Sequence, residues 1–503
     1  MEYSYHIFYF PFKWKLQGES RNDFSKIIDL DNIRPVPESH WTTNEFPDED
    51  DLKQLYDEKN YFYEFVHPVL YDTHTSDTLL KHFEREEPQK TKMCNYCIVA
   101  KGKEYELELD SVNLNFYATG IGTLSFYLKN ERYGDKNDIL NINQYGRRIF
   151  PPFYNDIECK IETAESLSIT GLSGDASRYF EDFSSYANSK KTWKPAKFIV
   201  SLIEDLQPNL DIVPVIDDRM FVNCWYENDE VAKQFYDYHE KTEKLLPEVR
   251  RDICKKQHEK LTSFIEDDFW YKFLFVDTDS VSCTDINMRK RLVEESTYPR
   301  WQHNGTLFGC TRYSLMLLTN VGFFPQEVLA KHMRSMYSRM IELVLVQRSS
   351  MLKFSEEVTR VSSLKDTKHK NVAIRIGTLY KEYIRFINQI FFKDITAQEQ
   401  GIELYTMLMA RFKADQQIKE LDEEIGELHA YITLLIENNR NEQGRWLSLI
   451  ATIFLPGTFI SGLFGMNQLG GDGFSWWQLG MQILFIIVCT IVVSIILKCK
   501  KYE

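Results

Sequence analysis

The sequence predicts a cytoplasmic α/β domain followed by a long helical stalk and a C-terminal two-helix transmembrane hairpin. Three observations carry that reading. Trp446 to Phe464 and Trp477 to Leu497 contain no charged residue, and about 20 apolar residues suffice for a helix to cross ~30 Å of hydrocarbon. Ahead of them, apolar residues recur at helical spacing. Further upstream, apolar and polar residues alternate as they do in half-buried strands.

The hairpin follows from the link between the apolar runs. The loop 468–476 is short and glycine-rich, so two spanning helices must run antiparallel with both ends on one side. Arg440 and Arg445 precede the first run, and Lys498, Lys500 and Lys501 follow the second. Because positive charge stays on the cytoplasmic side, the termini are expected inside and the loop outside. Trp476 and Trp477 fall where an interfacial aromatic belt belongs.

The stalk rests on three amphipathic stretches. Met333, Met336, Met340, Leu343, Gln347 and Met351 mark one between Gln326 and Val361. Val372, Ile376, Leu379, Tyr383, Phe386 and Ile390 mark a second between Asn371 and Phe392. The third has Ile418, Leu421, Ile425, Leu428, Ile432 and Leu435. With no proline from Thr396 to the first apolar run, one helix of about 70 residues, roughly 105 Å at 1.5 Å per residue, is expected to reach Asn467.

The N-terminal part reads as strands at Tyr105 to Leu109 and Val112 to Phe116, then at Leu124 to Leu128 after a turn around Gly120 and Gly122. Further strands are expected at Ala196 to Ile203, Leu210 to Ile216, Phe273 to Val276 and Leu307 to Thr311. The opening MEYSYHIFYFPFKWK is only briefly apolar and has no small-residue cleavage site, so it too reads as a strand and keeps this domain inside. The expected divisions are 1–325 (with a further division near 190), stalk 326–445, first span 446–467, outer loop 468–476, second span 477–497 and basic tail 498–503.

Several function classes are disfavoured. A net charge of −14 argues against nucleic-acid binding. Nine cysteines are scattered, with Cys489 and Cys499 within or beside the second span, which suits a reducing cytosol better than a disulfide framework. Cys94-x-x-Cys97 is a lone pair, short of two ligands for zinc and of a thioredoxin-like setting for redox work. The eleven histidines show no metal-ligand spacing. With no phosphate loop, hydrolase elbow or kinase set, an enzyme is not expected.

The first apolar run carries the most specific pattern. Counting back from Asn467, the positions Gly462, Thr458, Leu455, Ala451, Leu447 and Gly444 form a near-heptad stripe of small, hydroxyl and leucine residues. In a symmetric bundle such a stripe could line a narrow path. It also serves ordinary helix packing, and a plain two-span anchor stays open on topology. Extending the seam inward reaches Asn441, Arg440, Glu437 and Thr433, so Glu437 and Asn441 are candidates for an inner mouth. Pro456 lies within the run, either as a hinge or as a tolerated kink.

The stretch IATIFLPGTFISGLFGMN, with Gly465-Met466-Asn467 at the end of the penultimate span, then a short loop and a basic tail, resembles the CorA family of divalent-cation transporters. The resemblance covers about Gly444 to Glu503. It implies five copies around one pore in a plasma (inner) membrane, with Gly465, Met466 and Asn467 at the pore mouth. Leu447, Ala451, Leu455, Thr458 and Gly462 would line the pore, with Leu455 and Leu447 at apolar constrictions. The implied partners are membrane lipid and further copies of the chain. No prosthetic group is implied, and the divalent cation, Mg²⁺ first, is the substrate and a candidate regulator. One departure stands out: the loop reads Gln468-Leu469-Gly470-Gly471-Asp472-Gly473, without the acidic residue soon after the tripeptide that magnesium members often carry, and its Gly-Gly is similar to the zinc-associated ZntB branch. The regulatory metal site is not located by the sequence. Asp277-x-Asp279, Glu266-Asp267-Asp268 and Asp48-Glu49-Asp50-Asp51 are candidates, and each also reads as a solvated loop or helix cap. A membrane-anchored scaffold that does not conduct is the competing reading.

Overall fold

The computed structural model describes residues 2–16, 30–43, 58–71, 78–86, 93–150, 163–183, 195–216, 219–235, 262–362 and 369–468, with scattered positions between 477 and 491. The chain forms two compact units. One comprises Met1–Leu364 and Thr378–Glu424, and the other Lys365–Gly377 and Ile425–Glu503.

The first unit is built on one mixed sheet. Its strands are β1 (Ser4–Leu16), β2 (Trp41–Thr42), β3 (Leu80–Arg85), β4 (Asn95–Ala100), β5 (Lys103–Tyr117), β6 (Ile121–Asn130), β7 (Ser166–Thr170), β8 (Phe180–Asp182), β9 (Leu210–Pro214), β10 (Phe221–Glu227), β11 (Thr297–Tyr298), β12 (Thr306–Cys310) and β13 (Ser314–Thr319). The main order is β11-β12-β13-β10-β1-β6-β5-β4-β7-β8, with β2, β3 and β9 off this path. The β10–β13 pair is parallel.

The N-terminal segment is a strand as expected, and it lies in the middle of the sheet. Its Pro11 has no N–H to give a ladder. β1 tolerates it because one edge changes partner there: β10 pairs with Ser4 to Tyr9 and β9 with Phe12 to Leu16. The two expected strands around residue 110 are one long strand, β5, with a register irregularity between Leu109 and Ser111. β5 turns into β6 through Gly120, whose φ of 78° suits a residue without a Cβ.

Eleven α-helices are described: α1 (His67–Leu70), α2 (Lys136–Gly146), α3 (Lys197–Leu206), α4 (Asp229–Phe235), α5 (Asp268–Phe275), α6 (Ile286–Ser296), α7 (Ala330–Arg334), α8 (Met336–Ser362), α9 (His369–Gln389), α10 (Glu399–Phe412) and α11 (Ala414–Gln468). Two of them correct the sequence reading. Ala196 to Ile203, expected as a strand, lies largely in α3, where Phe198, Ile199, Leu202, Ile203 and Leu206 are buried at helical spacing. Phe273 to Val276, also expected as a strand, closes α5. There Asp267 caps the helix start by accepting from the Trp270 N–H at 2.7 Å, and Val276 ends it in the left-handed region at φ 57°. In both places β-branched and aromatic residues looked strand-like while their burial period was helical.

Each face of the sheet has its own cover. Tyr96 and Phe126 meet Phe198 of α3 at ring distances of 6.0 Å, and His6 bonds Asn143 of α2. On the other face, Tyr9 and Tyr127 both reach Ser338 of α8 at 2.7 Å. α8 in turn packs on α9 through Phe354 with Tyr383 and Phe386, and Gln347 bonds the Tyr405 hydroxyl of α10. The α/β sheet followed by helices is thus as the sequence indicates, with sheet and these helices in one unit.

The helix expected to run unbroken for about 70 residues does not. It is interrupted at Lys413, a left-handed residue with φ 53° that closes α10 before α11 begins. Absence of proline permits a continuous helix without requiring one, and burial of both Phe412 and Ala414 fixes the break between them.

Candidate functional site

α11 runs 55 residues, from Ala414 to Gln468, and begins in one unit and ends in the other. Its early stripe is buried: Ile418, Leu421, Ile425 and Ile432. Beyond that the described side chains are exposed. Glu437 and Asn441, the inner-mouth candidates, are exposed, as are Ala451, Thr458 and Gly462. Leu447 and Leu455 are 70% and 64% exposed. Exposure does not single out the stripe, because Trp446 (68%), Ile450 (49%) and Phe454 (64%) on other sides of the helix are exposed too. What it does show is a helical segment whose described side chains, largely apolar, are exposed on several sides. Such a surface needs lipid or other helices around it.

Local chemistry within the run is defined at two places. The Thr458 hydroxyl donates back to the carbonyls of Phe454 and Leu455 at 3.1 and 3.0 Å, which satisfies its proton and leaves an oxygen acceptor facing outward. The helix passes through Pro456 and ends at Gln468, one residue beyond Asn467. Gly465, Met466 and Asn467 therefore lie in its last described turn. Their side chains lie outside the described residues.

Among the described residues no helix is long and apolar enough to cross a membrane. Many side chains of the first run, and all but scattered positions of the second, fall outside the description. The positions that are described, among them Trp477, Leu484 and Ile491, are helical and exposed. The two spans thus rest on the sequence.

The acidic candidates for a regulatory metal are engaged in local structure. Asp267 is the cap of α5, Asp268 pairs with Arg289 at 2.8 Å, and Glu266 pairs with Lys290 at 2.5 Å. Asp277 accepts from the Ser282 N–H at 3.2 Å, and Asp279 pairs with Lys101. The group Asp48 to Asp51 lies outside the described residues.

The sequence reading missed a second grouping. Cys97, Glu104 and Glu106 bring their ligand atoms within 4.8 Å of one another across β4 and β5, with Cys97 opposite Glu106 in the register. Burial, followed by the nearby carboxylates, raises the Cys97 thiol above its ordinary range, and Glu106 is held by Arg132. A metal would need the thiolate, so this setting opposes binding. Cys94 is not part of the group. Period-two alternation on β5 was the signal that could have placed Glu104 and Glu106 on one face.

Residues 323–499 match the family model described as CorA-like Mg²⁺ transporter protein. The match takes in α7 to α11 and both apolar runs, and it supports CorA-like family membership. A family of that kind points to divalent-cation transport and to a place in a membrane. The α/β sheet unit followed by helices fits it.

Proposed function

We propose that the chain is a multi-pass membrane protein that moves Mg²⁺ or another divalent cation inward through a pore made by several copies, with α11 as the pore helix. The observation that carries the reading is the exposed, largely apolar stretch of α11 that ends at Gly465-Met466-Asn467. The 22 positions from 446 to 467 rise roughly 33 Å as a helix, which matches the ~30 Å core of a bilayer.

The residue types suit a strongly hydrated ion. Magnesium gives up water reluctantly and prefers octahedral oxygen ligands, so stripping it completely would stall transport. A ring of Asn467 amides accepts hydrogen bonds from the bound waters and offers carbonyl oxygens without the hold of a carboxylate ring. Thr458 supplies a second oxygen ring deeper in. Leu455 and Leu447 supply apolar rings that close the path by dewetting when narrow. A divalent ion moving through 100 mV gains roughly 4.6 kcal/mol, so no hydrolysis step is required.

The sequence of the loop after Asn467 bears on which divalent ion is carried. Gly470-Gly471 there favours a zinc-carrying variant as the second reading. The test is uptake by liposomes holding the intact protein, with magnesium, zinc, cobalt and nickel run in parallel. Uptake of at least one ion supports the proposal. Uptake of none supports a membrane-anchored scaffold instead.

A further inference from the structure

Tyr298 of β11 and Phe308 of β12 are paired in register at one end of the sheet, and their rings meet edge to face with centroids 6.1 Å apart. Phe308 also meets Tyr337, in the first turn of α8, at 5.9 Å and 87°. Together with Trp301 and Phe324 these rings wall a cavity of about 150 Å³ in the first unit. Leu329 and Leu404 of α10, both buried, add aliphatic lining.

Phe324 is 58% exposed, yet its loop is anchored on both sides of it. The Glu227 carboxylate at the end of β10 accepts from the Gly322 N–H at 3.3 Å and from the Gln326 side chain at 2.7 Å. The wall that Phe324 supplies is therefore built into the fold rather than left to a free loop.

The cavity has polar groups but no charge. Asn304, Thr306, His332 of α7 and Gln400 of α10 line it, and no lysine, arginine, aspartate or glutamate is among its described lining residues. The His332 ring stands perpendicular to Tyr337 at 6.1 Å. Burial alone pushes its imidazole below the ordinary range, so the ring is neutral at pH 7, with one nitrogen to donate and one to accept. The charges beside the cavity are matched to one another: Arg300 pairs with Glu403 at 2.6 Å and with Glu399, and lies 5.6 Å over the Trp301 ring.

An uncharged lining of aromatic rings with a few hydrogen-bonding groups fits a flat neutral ring that bears a polar group. An apolar cavity of comparable volume takes up benzene. A charged ligand would find no opposite charge there to offset its lost water. We infer that this cavity is a binding site for a small uncharged aromatic molecule, about one ring in size, whose hydroxyl or N–H group pairs with His332. None of its lining residues lies in α11, so the site is distinct from the ion path.

The experiment is saturation-transfer NMR on the intact protein in maltoside detergent, titrating phenol and, separately, tetramethylammonium, each against protein-free micelles. Saturable phenol binding above the micelle reference is expected, and tetramethylammonium should bind more weakly. Asn304→Trp, at an exposed lining position, fills the cavity and should abolish the phenol signal. His332→Leu, which keeps apolar contact and removes the polar one, should weaken binding by about tenfold. Phe180→Ala, which removes an exposed ring outside the cavity, should leave it unchanged. Melting temperature checks that each variant is folded. Absence of saturable phenol binding overturns the site, as does an undiminished signal in Asn304→Trp. Tighter binding of tetramethylammonium would make the cavity a cation cage and overturn the neutral ligand. Full affinity in His332→Leu would overturn the assigned hydrogen bond.

Discussion

Glu342, in the second turn of α8, accepts a 2.7 Å hydrogen bond from the Asn115 side chain on β5 across a separation of 227 residues. Thr123 on β6 donates to the same oxygen. The carboxylate is 4% exposed, so it ties the helix to the sheet where water cannot replace it. Truncation by Glu342→Ala strands both donors, and a loss of about 2–3 kcal/mol is expected. Denaturant unfolding followed by tryptophan fluorescence measures it. Glu342→Gln, which still offers an acceptor, should lose less.

Glu382 on α9 gives a pH dependence with a defined sign. Burial is the main cause that raises its carboxyl to about 7, with Glu357 adding to it and Lys353 and Arg385 opposing. Its folded pKa thus exceeds the ordinary carboxylate value, so its stability contribution is full below about 4.5 and is lost as pH rises through about 7. Glu382→Gln should melt like the wild type at pH 5 and at a higher temperature than the wild type at pH 8.

His6 works in the opposite direction. It is fully buried between Ser4 and Asn143, with bonds of 2.8 and 2.7 Å, and burial lowers its pKa to about 4. The unfolded chain takes up a proton near pH 6.5 while the folded one resists, so stability falls as pH drops from 6.5 towards 4. Melting curves of His6→Gln should be flatter than the wild type's over that window. Combining this substitution with Glu382→Gln separates the two effects.

Lys413 holds φ 53° between α10 and α11, a conformation that costs a residue with a Cβ more than glycine. Lys413→Gly should stabilise the protein by about 0.4–1 kcal/mol. Lys413→Pro, which cannot reach that φ and loses the bond to the Ala410 carbonyl, should destabilise it. Both are read by thermal melting.

Legibility in the sequence followed the scale of the interaction. The β5–β6 hairpin and the amphipathic stripes of α8 and α9 are local patterns, and they appear where alternation and helical spacing place them. The strand-like reading of α3 failed because residue type outweighed period. The break at Lys413 is invisible to a search for proline and glycine. Tertiary groupings were out of reach, since Asn115, Thr123 and Glu342 are brought together only by the β5–β6 pair and the seat of α8. Glu342 had a faint local signal, as a lone acid in the apolar stretch from Met340 to Val346.

The central claim is that Asn467 forms the mouth of a cation path. Its most direct test is magnesium uptake into dye-loaded liposomes under an inside-negative potential, comparing the wild type with Asn467→Ala at equal incorporation. The wild type should admit the ion and the variant should lose most or all of that flux. Equal flux from both would contradict the role assigned to Asn467.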